Sequence, residues 1–262
     1  MEVYGSRPQG RFIKSLVYEI RFLFYNSELI IVTQRGIFNM NRFQELLDSI
    51  QINTHSSIRM EIPEVIYFDP FHIEGAPEDA SYVFITHSHY DHYSVQDIRR
   101  VMNADTRIFV PKSMLGQLRH DGFEERQIVT LTAGMKLQRD DYTVEAVPAY
   151  NTLKPFHRKS HGWLGYLIEI DGVRIYVAGD TDATAENRAV SCDIALVPIG
   201  GRYTMNAKKA ADLVNELRPA AAIPCHYGSI VGKASDVEVF RRRVNPEIKV
   251  YLRIDFESPD QD

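Results

Sequence analysis

Residues 86–94 read THSHYDHYS, directly after the apolar run YVFI at 82–85. His87, His89, Asp91 and His92 thus crowd into one short stretch of a chain that has nine histidines in all. The apolar run reads as a buried strand, and a strand that ends in a burst of imidazoles delivers them to one place. His87 and His89 are two apart in extended chain, so they project to the same side and can share one ion. Asp91 and His92 come after the strand, where a turn can carry them to a second position about 3.5–4 Å away. Imidazole nitrogen with carboxylate oxygen is a donor set for Zn²⁺ in open sites, one or two ions here, and the same donors accept Mn, Fe or Ni. The ordinary alternative is a solvated loop that happens to be rich in histidine.

Outward from this stretch, strand and helix signals alternate. SSIRMEI at 56–62 and VIYFD at 65–69 read as paired strands, SVQDIRRVM at 94–102 as a helix capped by Ser94, and TRIFV at 106–110 as another strand. PKSMLGQLRHDGF reads as a short helix ending near Gly122, followed by strands in QIVTL, MKLQ and YTVEAVPAY. GYLIEIDGVRIYVAGD at 165–180 is the clearest hairpin, with Asp171-Gly172 at a turn that demands positive φ at both residues. DIALVPI and AAAIP read as strands, NAKKAADLVNEL as a helix started by Asn206 or Thr204, and SDVEVFRRRV with KVYLRI as a closing helix and strand. Hairpins mixed with strand–helix alternation predict sheets with helices packed outside, an α/β or α+β class.

The first 50 residues differ. SLVYEIRFLFY and ELIIVTQ suggest two strands around Asn26-Ser27, and NRFQELLDSI has helical spacing. The expected organisation is an N-terminal extension, 1–50, packed on a main domain, 51–262, with the apolar extension as a possible surface for homo-oligomer contact.

Composition narrows the function. A net charge of −5 and a pI near 6.0 give no general field that would gather nucleic acid. The most apolar early stretch, 12–32, is broken by Lys14, Glu19, Arg21 and Glu28, so it is not a membrane span, and the first ten residues lack the order of a secretory signal. Cys192 and Cys225 form no CxxC pair and read as reduced thiols. A cytoplasmic protein acting on a small-molecule substrate, with no nucleic-acid or membrane partner, is the expectation.

The THSHYDHYS string resembles the signature of the metallo-β-lactamase superfamily of metal-dependent hydrolases. Further stretches match in order. Asp69 in IYFDP is similar to the aspartate closing an early strand, Asp180 in VAGDTD to the carboxylate that bridges two metals, and His226 in IPCHYG to the late histidine of the second metal site. THSSIRM at 54–60 looks like the domain's first strand, with Thr54 where glycine is more usual. PAYN, AGDTD, PIGG and CHYG resemble most the branch that includes ascorbate-6-phosphate-lactonase-like proteins. The resemblance covers roughly 51–228 and implies a four-layer αββα sandwich with metal ligands His87, His89, Asp91, His92, Asp180 and His226. Taken singly, Asp180 could cap the turn after Gly179, His226 could be a surface histidine and Asp69 could open an Asp-Pro turn; their joint order raises all three.

One position departs from the pattern. Where the family supplies a third histidine to the first metal, this chain has Tyr150 and Asn151. His157 in KPFHRKS and His161 in SHGW are within reach, and His157 is preferred, as ligand or substrate-binding group, because Phe156 can anchor its loop. With neither, the first position would have only His87, His89 and the bridge.

The implied chemistry is hydrolysis by hydroxide formed between two cations that share Asp180. Asp91 would double as acceptor of the water's proton, and Asp69 would orient a histidine ligand through its second ring nitrogen. The substrate expected is small and anionic, a lactone, phosphodiester or related ester. Lys154, Arg158 and Lys159 could grip it, although a solvated basic loop is the plainer reading. An oxygen-reducing di-iron centre would carry glutamate at position 89 and a flavin domain, and this chain has neither. The other class left open is a non-catalytic metal-binding or ligand-sensing protein on the same fold.

Overall fold

The structure, a computed structural model, describes residues 21–25, 28–33, 36–61, 64–139 and 142–255, with side chains from residue 40 onward. The chain divides into two compact units, Met1–Asn41 and Arg42–Asp262. In the first, β1 (Arg21–Tyr25), β2 (Glu28–Thr33) and β3 (Gly36–Asn39) form an antiparallel sheet in sequence order, one strand more than the sequence suggests. The part of the predicted first strand at 15–20 lies outside the described residues. Helix α1 (Met40–Ser49) follows and buries Phe43, Leu46 and Leu47.

The second unit holds two further sheets. One comprises β4 (Gln51–Thr54), β5 (Ser57–Met60), β6 (Ile66–Phe68), β7 (Ala80–Phe84), β8 (Met102–Pro111) and β9 (Ile128–Leu131), adjacent in chain order. Its first three strands run antiparallel and the rest parallel. The predicted first strand, THSSIRM, is therefore corrected: its Thr54 ends β4, His55 and Ser56 make the turn, and Ser57–Met60 is β5. The other sheet runs β10 (Lys136–Gln138), β11 (Tyr142–Pro148), β12 (Leu164–Ile170), β13 (Val173–Val177), β14 (Ile194–Pro198), β15 (Ala221–Cys225) and β16 (Lys249–Val250). It too begins antiparallel and turns parallel from β13 onward. The β12–β13 hairpin turns at Asp171 (φ 49°) and Gly172 (φ 79°), both positive as expected.

Alternation along the strands shows how the layers stack. In β7 and β8, Val83, Ile108 and Val110 pack with Ile98 and Val101 of α2 (Val95–Val101) and Leu118 of α3 (Leu115–His120). The intervening Phe84 and Phe109 turn the opposite way, where Phe84 meets Tyr166 of β12 at 5.1 Å between ring centres. Tyr166 also donates its hydroxyl hydrogen to the Ile85 carbonyl at 2.6 Å, tying one sheet to the other. On the far face of the second sheet, Leu167, Tyr176, Ala195 and Val197 pack beneath α5 (Ala207–Leu217) and α6 (Asp236–Arg243), with α4 (Ala185–Arg188) lying between β13 and β14 in sequence. Burying Leu213, Val214 and Leu217 of α5 is worth about 1.5–3 kcal/mol each. The result is the predicted αββα sandwich. Ser94 and Asn206 cap α2 and α5, each accepting a hydrogen bond from the backbone N–H three residues on.

Candidate metal centre

Where parallel strands end at one rim of an open sheet, the loops that follow converge, and such rims are where ligands bind. Asp69 follows β6, His87 follows β7, Asp180 follows β13 and His226 follows β15. After His87 the chain makes a tight turn: the N–H groups of His92 and Tyr93 both donate to the His89 carbonyl, at 3.0 and 2.7 Å. That turn brings Asp91 and His92 back beside the strand end.

The side chains form two groups. In the first, His87 Nε2 lies 3.1 Å from His89 Nδ1 and 3.3 Å from His157 Nε2. In the second, Asp91 Oδ2 lies 3.6 Å from His92 Nε2 and 3.7 Å from His226 Nε2. Asp180 reaches both: its carboxylate is 3.1 Å from His157 Nε2, 3.4 Å from His92 Nε2 and 3.1 Å from His226 Nε2. Three observations show that these donors fit cations. Ligand atoms bound tetrahedrally at 2.0–2.1 Å lie about 3.3–3.4 Å apart, close to the spacing in the first group. Next, His92 Nε2, His226 Nε2 and Asp180 Oδ1 are buried without a hydrogen-bond partner, although opposite groups lie at hydrogen-bond distance: they point to a common centre rather than at one another. Finally, the outer ring nitrogens are engaged in the way ligating imidazoles require. Thr86 Oγ1 gives its hydrogen to Asp69 Oδ2 (2.6 Å), so it accepts from His87 Nδ1 (2.9 Å), leaving the His87 Nε2 lone pair facing inward. His92 Nδ1 likewise donates to Asp69 Oδ2 at 2.7 Å, which places Asp69 where the sequence reading had it, behind a histidine.

His157 joins the first group and His161 does not; the His161 ring lies against Trp163 instead, 4.5 Å between centres. The loop that brings His157 in closes on itself, Asn151 N–H donating to the His157 carbonyl at 2.8 Å. The Asn151 side chain donates to the carbonyls of Tyr203 (2.6 Å) and Phe156 (3.1 Å), so the residue standing where the family has a histidine holds the loop that supplies one. Tyr150 turns away and donates to Glu186. Lys154 donates to the carbonyls of Gly201 (3.0 Å) and Thr204, and Lys159 to Glu186 (2.6 Å). The Lys154 ammonium is thus taken up by backbone carbonyls, whereas Lys159 sits in an exposed ion pair, as the plainer reading of a solvated basic loop has it.

Close backbone approach fixes His226. Gly200, in the PIGG stretch after β14, lies so near that a Cβ there would overlap the His226 carbonyl oxygen. His55, Asp69, His157 and His226 all adopt positive φ, between 45° and 56°. Such conformations persist only where surroundings hold them, and four of the eight non-glycine residues with positive φ among those described lie at this cluster.

Sequence reasoning missed two residues. His55, in the turn between β4 and β5, is 1% exposed, and its Nε2 lies 3.1 Å from Asp91 Oδ2. The quoted THSSIRM contained it, but a lone histidine after a strand carries no spacing signal. Trp163, the chain's one tryptophan, lies 4.8–5.2 Å ring to ring from His87, His89 and His157 and walls the first group.

Electrostatics follow from burial and crowding. Burial alone would raise the Asp180 carboxyl, yet His226 and His92 hold it well below the usual range. Burial works the same way on Asp91, but the His55 hydrogen bond and the His92 charge bring it down to about 2. His92 is opposed by burial but raised to about 9 by Asp180 and Asp69, whereas burial lowers His55 to about 4. The metal-free cluster thus holds a proton on His92 at neutral pH, and a cation binding there displaces it.

Neither Cys192 nor Cys225 is in a disulfide, and both are buried. No helix among the described residues is long and apolar enough to cross a membrane.

Residues 50–227 match the family described as the beta-lactamase superfamily domain. A UPF0173 protein of Pyrococcus abyssi is 36% identical over 176 residues, 65% of this chain and 79% of that protein. A UPF0173 metal-dependent hydrolase of Pyrococcus furiosus is 27% identical over 212 residues, covering 76% and 92% of the two chains. Among solved structures, Igni18, a metallo hydrolase of Ignicoccus hospitalis, superposes with a TM-score of 0.62 at 24% identity over 78% of this chain and 93% of its own, a likeness of fold. With imidazoles and carboxylates gathered at the strand ends and a family match over most of its length, the chain belongs to the metallo-β-lactamase superfamily of metal-dependent hydrolases, in its UPF0173 family.

Proposed function

We propose that this protein hydrolyses a small substrate with an ester-type bond, a lactone, phosphodiester or related ester, using water activated at a two-cation centre, zinc being the first metal to test. The observation that carries the reading is the position of Asp180, whose carboxylate lies within 3.4 Å of His157, His92 and His226 and so belongs to both groups at once. Cations held by His87, His89, His157 and Asp180 on one side, and by Asp91, His92, His226 and Asp180 on the other, would lower the pKa of water toward neutrality and polarise the attacked oxygen. Asp91, ionised throughout the neutral range, is placed to accept the attacking water's proton. Asp69 keeps His92 turned inward, and Trp163 keeps bulk water off the first group.

An anionic substrate group would be drawn by the cations and by the exposed Arg158 and Lys159, since Lys154 is engaged by backbone carbonyls. Exposed Tyr90 and Phe156 each adjoin a residue of the cluster, so an apolar portion beside the scissile bond also suits the surroundings. The lactonase-like phrases PAYN, AGDTD, PIGG and CHYG make lactones the first class to assay. Buried cysteines outside any disulfide accord with a cytoplasmic location.

The test measures metal per chain after purification without added metal, and turnover of lactone, phosphodiester and thioester panels by wild type and His89→Ala. Two equivalents of metal, with turnover of one class lost in the variant, is the expected result. A metal-loaded protein inert across the panel would replace the enzyme with a sensor.

A further inference from the structure

We propose that His55 is itself a ligand of the second cation position, alongside Asp91, His92 and His226; this rests on the metal-centred reading above. Its Nε2 belongs to one set of donor atoms with Asp91, His92 and His226, all within 4.8 Å of one another. The ring is buried and lies 3.8 Å, centre to centre, from that of His226. The two residues also lock each other's backbone: His226 N–H donates to the His55 carbonyl at 2.8 Å, and both hold positive φ. Strain and burial of this kind are out of proportion to a mere hydrogen bond with Asp91.

The outer nitrogen of His55 completes the argument. Its Nδ1 lies 3.2 Å from Ser229 Oγ, as the outer nitrogens of His87 and His92 lie beside Thr86 and Asp69. A hydroxyl both donates and accepts, so Ser229 permits either tautomer. Without metal, Nε2–H donates to Asp91 Oδ2. With metal, the hydrogen moves to Nδ1 and is accepted by Ser229, and the Nε2 lone pair turns to the cation. Counting Asp180, the second position then has five protein donors against four at the first.

The experiment titrates metal-free protein with Zn²⁺ alone, reading total affinity by a competing chromophoric chelator and first-position occupancy by Trp163 fluorescence. The variants are His55→Gln, which keeps an amide donor for Asp91, and Ser229→Ala at an exposed position, in case the first does not fold. Expected is a fall of at least about tenfold in affinity for one equivalent in both variants, with the Trp163 titration unchanged. In the Co²⁺-loaded protein, one exchangeable, paramagnetically shifted imidazole N–H signal should vanish in His55→Gln. A folded His55→Gln that binds both equivalents like wild type and keeps every shifted signal overturns the assignment of His55 alone. Wild type that binds no Zn²⁺ overturns the metal-centred reading with it.

Discussion

Asp69→Asn isolates the support of the cluster from the cluster itself. Asp69 is 1% exposed and accepts three hydrogen bonds: from Thr86 N–H at 2.7 Å, Thr86 Oγ1–H at 2.6 Å and His92 Nδ1–H at 2.7 Å. An amide has one oxygen and one NH2. Turned one way, its NH2 faces the Thr86 hydroxyl and the His92 N–H; turned the other, it faces the Thr86 backbone N–H. Either way a buried donor meets a donor, at a cost of about 1–3 kcal/mol to the folded chain. His92 loses the bond that turns its Nε2 inward, and because Thr86 also accepts from His87, the disturbance reaches both groups. Loss of such outer support costs about 10–100-fold in metal affinity, about 1.4–2.8 kcal/mol. Competition with a chromophoric chelator gives the total loss, and Trp163 fluorescence gives the share at the first position. Thr86→Val should weaken chiefly the first. If folded Asp69→Asn binds both Zn²⁺ equivalents with wild-type affinity, the hydrogen-bonded chain from Asp69 through Thr86 does not orient the ligands.

Three further outcomes are expected. His157→Ala should lower metal content from two equivalents to one with little change in thermal midpoint, because the loop's own bonds, through Asn151, survive; unchanged content would remove His157 from the site. Gly200→Ala should displace the His226 carbonyl and weaken the second position while leaving the Trp163 titration intact, and wild-type binding there would show that the approach is not confining. In the metal-free protein, His92 at about 9 contributes stability that is complete below about 6.5 and lost as pH rises through 9, while His55 at about 4 costs stability as pH falls from 6.5 toward 4. Urea midpoints should therefore peak near pH 6.5, the alkaline limb falling by no more than about 1.4 kcal/mol per pH unit and the acid limb more steeply, because His87 and His89 are lowered as well. Zn²⁺ should flatten the alkaline limb; midpoints constant from pH 5 to 9 would contradict these assignments.

Much of this was legible in the chain because it is local. Alternation of Val83, Phe84 and Ile85 fixes which side chains face a helix and which face the other sheet, Asp171-Gly172 can hardly be anything but a tight hairpin turn, and Ser94 and Asn206 announce their helices. His87, His89, Asp91 and His92 are close in sequence, so their grouping needs only a strand end and a turn. By contrast, Asp180 and His226 were placed by resemblance, and no periodicity joins them to residue 87.

What folding alone decided is which distant residues share a centre. His157 rather than His161 enters the first group because Asn151 closes one particular loop, a choice made by hydrogen bonds to Tyr203 and Phe156 that no spacing encodes. His55 reaches Asp91 across 36 positions because the β4–β5 turn ends beside the strand end that carries His226, and Lys154 is occupied by carbonyls some 50 positions away. Local pattern specifies the elements, since the period of apolar residues sets which face is buried; the company each polar side chain keeps depends on how the sheets are laid together.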